Sequence, residues 1–178
     1  RPDENLAKFD EIAAKRKIVL SAGTDAHSNI GFHLFGDDAG NKLLNIKLDP
    51  YATTFGLVRL HVLIEKDKPF VRETLIEAIK AGRFFIGFDA LGDTTGFRFG
   101  PDNQGDIQLV TPLSARIYLS CNGLGKFGGT LVRSSTNDNS WILREPQSGT
   151  WRVEVYRDDL GPPFNQMPWI ISNPIYVR

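Results

Sequence analysis

An α/β fold joined to an all-β half is what this sequence predicts, on three observations. An amphipathic helical pattern, "PDENLAKFDEIAAKRK", runs directly into a continuous apolar stretch, "KIVLSAG". The same order returns in "PFVRETLIEAIKAG" followed by "RFFIGFD". After about residue 95 the helical period is lost, and short β-rich runs separated by turns replace it. Helix feeding an apolar strand is the rhythm of an α/β fold. Strands recurring roughly every 8–12 residues suggest a β-sandwich. The predicted division is residues 1–94 and residues 95–178, with the boundary in "LGDTTGFRFG".

In the first helix Leu6, Phe9, Ile12 and Ala13 recur at helical spacing. Asp3 is placed to cap its start, and Lys15, Arg16 and Lys17 suit the negative end of its dipole. Ile18, Val19 and Leu20 then read as a strand covered on both faces, as in a parallel sheet. Residues 28–70 mix turn signals and periods, and predict irregular structure with a short helix near 50–58 and a strand near 59–64. Val71, Leu75, Ile76 and Ile79 line one face of the next helix, and Gly82 falls where a C′ glycine belongs. In the second half "DIQLVT", "ARIYLS", "GTLVRS", "SWILRE", "TWRVEVYR" and "NPIYVR" predict six short strands. Trp151, Val153 and Val155 alternate with Arg152, Glu154 and Tyr156, so one set faces a core. Asn122-Gly123 is a hairpin signal.

Composition narrows the function classes. Apolar residues make up 41% and charged residues 24%, as in ordinary folded proteins. Lys and Arg number 21, as do Asp and Glu, with 13 of each sign in residues 1–90 and 8 of each in residues 91–178. No basic excess points to nucleic acid. No apolar run reaches the ~20 residues that span a bilayer, so no membrane partner is indicated. A single cysteine, Cys121, makes no internal disulfide and reads as a small buried thiol. The compartment stays open.

"GLGKFGG" contains G-x-G-x-x-G, but β-like residues follow where a dinucleotide site needs a helix, so a glycine-rich hairpin is expected. There is no G-x-S-x-G elbow. His33 reads as a loop or packing residue, and strand alternation in "RLHVLIE" could put His61 on either face. Asp25 and His27, in "AGTDAHSN", follow a predicted strand end, where α/β folds bind ligands. Small neighbours leave room for the two side chains to converge. Carboxylate with neutral imidazole suits zinc, manganese or iron. An ordinary turn carrying both residues is the alternative. Asp37 and Asp38 are candidates to complete a metal site, or simply a solvated loop.

The ordered set "AGTDAHSN", "LIEAIKAGRFFIGFD", "IYLSCNG", "TWRVEVYRDD" and "MPWIISNPIYVR" resembles the PHP (polymerase and histidinol phosphatase) family of metal-dependent phosphoesterases, with the β-domain appended in one bacterial group. The resemblance implies a distorted β/α barrel with metals at its C-terminal face. Asp25 and His27 match the family's final Asp-x-His motif. Its opening His-x-His motif and single Glu and His ligands have no counterpart here and would lie upstream of Arg1. The expectation is therefore the C-terminal portion of a PHP-like barrel (1–94) followed by a β-sandwich (95–178). The full-length protein would hydrolyse phosphate esters, and this piece would be inactive, binding divalent metal weakly or not at all. Its implied partners are the missing N-terminal part or a second copy docked on the incomplete barrel. The alternative is a β-sandwich binding module on a non-catalytic α/β scaffold, with Trp141, Trp151 and Trp169 as aromatic platforms. A β-domain that merely caps the barrel is the third expectation.

Overall fold

The structure, a computed structural model, describes residues 3–27, 31–33, 45–47, 50–123 and 130–178. Helix α1 (Asp3–Ala13) forms as its spacing predicts, burying Leu6, Phe9 and Ala13 along one stripe. Strands β1 (Gly31–His33) and β2 (Asn45–Lys47) pair antiparallel as a separate ribbon. Helix α2 (Tyr51–Thr54) and strand β3 (Arg59–Val62) occupy the two stretches expected for them. Helix α3 (Arg72–Lys80) starts where the Val71 N–H donates to Thr74 Oγ1, 3.2 Å away. It stops before Gly82, whose φ of 72° a side chain disfavours. Strand β4 (Phe84–Gly87) follows and is buried along its whole length.

The remaining strands are β5 (Arg98–Pro101), β6 (Ile107–Cys121), β7 (Thr130–Leu143), β8 (Gly149–Tyr156), β9 (Pro168–Ser172) and β10 (Ile175–Val177). With β3 and β4 they make one eight-stranded sheet, ordered β3-β4-β9-β8-β6-β5, with β7 on β6 and β10 on β8. Every pair among the described residues is antiparallel. The mixed α/β character expected from the sequence is present, but the parallel β/α barrel is not. "KIVL" is the reason for the first mismatch. Its backbone joins no strand and is pinned by side chains instead: the Leu20 N–H donates to Asn173 Oδ1 (2.7 Å), and the Ile18 N–H to Tyr176 Oη (3.0 Å).

A sandwich of separate sheets is not the pattern either. β6 is one long strand with register breaks after Val110 and Ala115. Its first part lies beside β5, its last part beside β8, and β7 runs along both. These breaks let the sheet coil. β4 and β5 are far apart along the sheet, yet the Phe85 and Phe97 rings meet edge to face at 4.8 Å. The coil encloses one core, in which Ile117, Val153, Val155, Trp169 and Ile170 are fully buried. The other face of β8 is buried too, under α1. There Arg152 donates to both oxygens of Asp10 (2.8 and 2.7 Å) and meets Glu154 at 2.9 Å. Burial works against the Arg152 cation, but the Asp10 and Glu154 carboxylates outweigh it and hold its pKa above the ordinary value.

Candidate functional site

A cavity of about 590 Å³ opens where β4, β5, β9 and β10 meet the pinned segment before Gly23. Phe85, Phe97, Phe99 and Ile175 give it apolar walls. The fold places them there by coiling: Phe85 comes from one end of the sheet, Phe97 and Phe99 from the other. Its polar side chains are mostly committed. Asn173 donates to the Leu20 and Phe84 carbonyls, and Ser172 accepts from the Val153 N–H. Two cations remain on the wall. Lys17 sits 5.6 Å from the centre of the Tyr176 ring and has no carboxylate partner among the described residues. Arg83 pairs through its terminal nitrogens with Glu65 and Glu77, but its buried Nε–H has no acceptor. An apolar hollow with a spare cation on its wall is suited chemically to a small apolar carboxylate.

A second cluster lies behind Phe85, whose ring stacks on His61 at 4.7 Å. Asp89, nearly sealed from solvent, accepts from Thr94 Oγ1 (2.6 Å), from His61 Nε2 (2.9 Å) and from Arg59. Burial alone would raise the Asp89 pKa. The hydrogen bonds from Thr94, His61 and Arg59 outweigh it and hold the carboxyl below its usual range. Gly87 is required beside this cluster, because a Cβ there would lie 2.5 Å from Thr94 Oγ1. His61, whose strand face the sequence left open, therefore locks the β3–β4 hairpin to the turn that follows it.

Asp25 and His27 lie apart from both clusters. Their side chains are 95% and 61% exposed. Asp25 has a φ of 50°, and its main-chain oxygen lies 2.6 Å from His27 Nδ1. Tyr51 Oη donates to the His27 carbonyl at 3.0 Å. The described residues contain no group of three or more His, Cys, Asp or Glu placed to hold a metal ion. Asp37, Asp38 and the His33 side chain lie outside the described residues.

The three tryptophans are core residues, with exposures of 7% for Trp141, 2% for Trp151 and 0% for Trp169. Among the described residues the β half presents no row of exposed tryptophans, so the binding-module expectation finds no support there. Trp169 sits on β9, between β4 and β8. Cys121 is buried and free, as expected. Asn122 and Gly123 adopt positive φ at the end of β6, and the rest of "GLGKFGG" up to residue 129 lies outside the described residues. No described helix is long and apolar enough to cross a membrane.

Fold and site together define a mixed α/β chain, built on an antiparallel sheet, with an apolar cavity edged by cations. Two curated relatives are similar to it. Both are named 3-methyl-2-oxobutanoate hydroxymethyltransferase, one from Thermotoga sp. (strain RQ2) and one from Thermotoga maritima. Each is 28% identical over 162 residues, covering 79% of this chain. The chain spans 60% of the length of these relatives. No protein-family model matches, and no solved structure matches significantly. The PHP resemblance, and the phosphoester hydrolysis it implied, are corrected by this finding: the relatives carry the name of a transferase, not of a phosphoesterase. The cavity residues were missed in the sequence because its walls come from segments far apart along the chain, around residues 81–85, 97–101 and 172–177. The one local signal was the alternation of Phe97 and Phe99 in "GFRFG".

Proposed function

We propose that this chain is part of a group-transfer enzyme, and that its apolar cavity holds a small branched 2-oxo carboxylate as the acceptor. The observation that carries this is a phenylalanine-lined hollow with Lys17, which has no carboxylate partner among the described residues, on its wall. The carboxylate would face Lys17, while the branched carbons replace water against Phe97 and Phe99. The name of the similar relatives supports a substrate of this chemistry. His61 lies behind Phe85 and is not part of the cavity wall, so no proton transfer is assigned to it.

Calorimetric titration with 3-methyl-2-oxobutanoate tests this reading. Two extra buried carbons, at ~0.8 kcal/mol each, should make it bind roughly tenfold tighter than pyruvate. Filling the hollow with Phe99→Trp should abolish binding while preserving the fold. Equal affinity for both acids, or no saturable heat, would sink the proposal.

A second reading concerns Asp25 and His27. The short approach of His27 Nδ1 to the Asp25 carbonyl makes Nδ1 the protonated nitrogen and leaves Nε2 as an open donor atom. Metal-bound histidines are commonly oriented this way. Two exposed donors hold a divalent ion such as zinc, manganese or iron weakly, so further ligands are needed for a stable site. Metal analysis after dialysis against zinc is expected to show metal in the wild type and its loss in His27→Ala. Identical content in both proteins would exclude the pair.

A further inference from the structure

A second hollow, about 430 Å³, shares Lys17, Tyr176 and Val177 with the first. Lys15, Arg16, Lys17 and Arg178 line it, and no Asp or Glu side chain does. Lys15 is neutralised by Glu11 at 2.9 Å. Arg16, Lys17 and Arg178 have no carboxylate partner among the described residues. Two neutral donors join them. Asn122 uses Oδ1 to accept from the Thr150 N–H at 2.9 Å, which leaves its Nδ2 uncommitted, and Ser148 adds a hydroxyl. Gly149, with φ of 154°, brings the chain close beneath them: a Cβ there would lie 2.5 Å from Cys121 Sγ and 3.2 Å from Asn122 Oδ1.

Cations after a helix C-terminus are ordinarily explained by the dipole. That accounts for Lys15 and Arg16 at the end of α1. It does not account for Arg178, Asn122 and Ser148, which arrive from three other segments. The helix-end carbonyls that would repel an anion are also occupied: Ile12 O accepts from the Lys15 and Arg16 N–H groups, and Ala13 O from Thr150 Oγ1. Among the described residues, the side chains lining the cleft offer mainly donors that no carboxylate side chain satisfies. We propose that this cleft binds a phosphoryl group, as a binding site without hydrolytic chemistry. Three cations and two neutral donors match a dianion better than a single carboxylate. The phosphate site shares Lys17 with the 2-oxo acid reading, while Arg16, Arg178, Asn122 and Ser148 belong to it alone. Only its connection to the first hollow, through Lys17 and Tyr176, rests on that cavity taking an apolar ligand.

The test is titration of the full chain at low ionic strength, where screening is weak, with inorganic phosphate and separately with phenyl phosphate. Binding of phosphate with Kd near ~1 mM, weakened at least tenfold in the Arg16→Gln/Arg178→Gln variant, supports the site. Both arginines are exposed, so that variant should keep the wild-type melting curve. A phenyl phosphate affinity well above that of phosphate, reduced to the phosphate value by Phe99→Trp, supports one ligand reaching both hollows. Equal affinities identify free phosphate as the occupant and overturn the connection. Absence of phosphate binding, or an unchanged affinity in the double variant, overturns the proposal itself, whatever 3-methyl-2-oxobutanoate does.

Discussion

The two halves of the chain treat their apolar residues differently. The main core cluster draws on Phe85 alone from residues 1–94; all its other buried members come from Phe97 onward. In β8 seven of eight residues are buried. In α3 one of nine, Ala78, is buried, while Ile76 and Ile79 stay exposed. Phe55, Leu60, Leu63 and Phe70 are exposed in the same region. The second half is a finished hydrophobic unit. Between α2 and α3, the first half has amphipathic elements whose apolar faces no described element covers. Propensity and pattern made those helices; packing did not complete them.

The largest effect should come from breaking the finished half. Trp169 is fully buried, and its Nε1–H donates to the Gly92 carbonyl at 2.9 Å. Trp169→Ala removes this bond and leaves a cavity, at a cost of about 4–5 kcal/mol. Urea denaturation should show the midpoint falling with one cooperative transition. A change below ~1 kcal/mol would mean that the coiled core is wrongly described.

Next in size is the joint between the halves. Asp10→Ala leaves Arg152 buried with only Glu154, which should cost about 3–4 kcal/mol. Adding Arg152→Met and Glu154→Gln should recover much of that, since removing all three ionised groups leaves no buried charge without a partner. If this triple variant is no better than the single one, the cluster is not what seats α1 on the sheet.

These contrasts also mark how far the sequence could be read. β8 was legible because Trp151, Val153 and Val155 alternate cleanly. Its other face was harder to read, since Arg152 and Glu154 look like solvent-facing residues until Asp10, from a distant segment, is placed over them. β6 and β7 were each read as two short strands, because Pro112 and the polar run 134–140 look like breaks. The coiled sheet absorbs both as bends within continuous strands. "KIVL" has the composition of a central strand, but its partners are the side chains of Asn173 and Tyr176, more than 150 residues away. Local pattern carries no trace of such pairing. The cavity was illegible for the same reason: its walls come from both ends of the sheet.

A smaller effect is expected at the His61–Asp89 cluster. The Asp89 carboxyl is held below its usual value of ~3.9. A depressed carboxylate stabilises the folded state fully above that pH, and the contribution fades as pH falls through the lower folded-state value. Asp89→Asn should therefore cost about 1–2 kcal/mol at neutral pH. The gap to wild type should narrow below pH ~4. Thermal melts between pH 7 and pH 2.5 measure this, and a gap that widens on acidification would contradict the arrangement.

The smallest effect on stability belongs to the uncovered surface, where the consequence should appear in assembly instead. Among the described residues β3 is an edge strand, paired with β4. Leu60 on β3, Leu63 just after it and Phe70 further along the chain are exposed, the last 82% exposed. An open edge next to apolar side chains favours pairing with another chain, and a second copy related by a two-fold axis presents the same edge in return. Light scattering on the wild-type chain is expected to show a monomer–dimer equilibrium that shifts with concentration. Phe70→Ser should change stability by no more than ~0.5 kcal/mol, yet move that equilibrium toward monomer. A wild type that stays monomeric across a wide concentration range would show that exposed apolar residues around β3 do not drive self-association. The contrast between the halves would then reflect the packing of each one, not an interface.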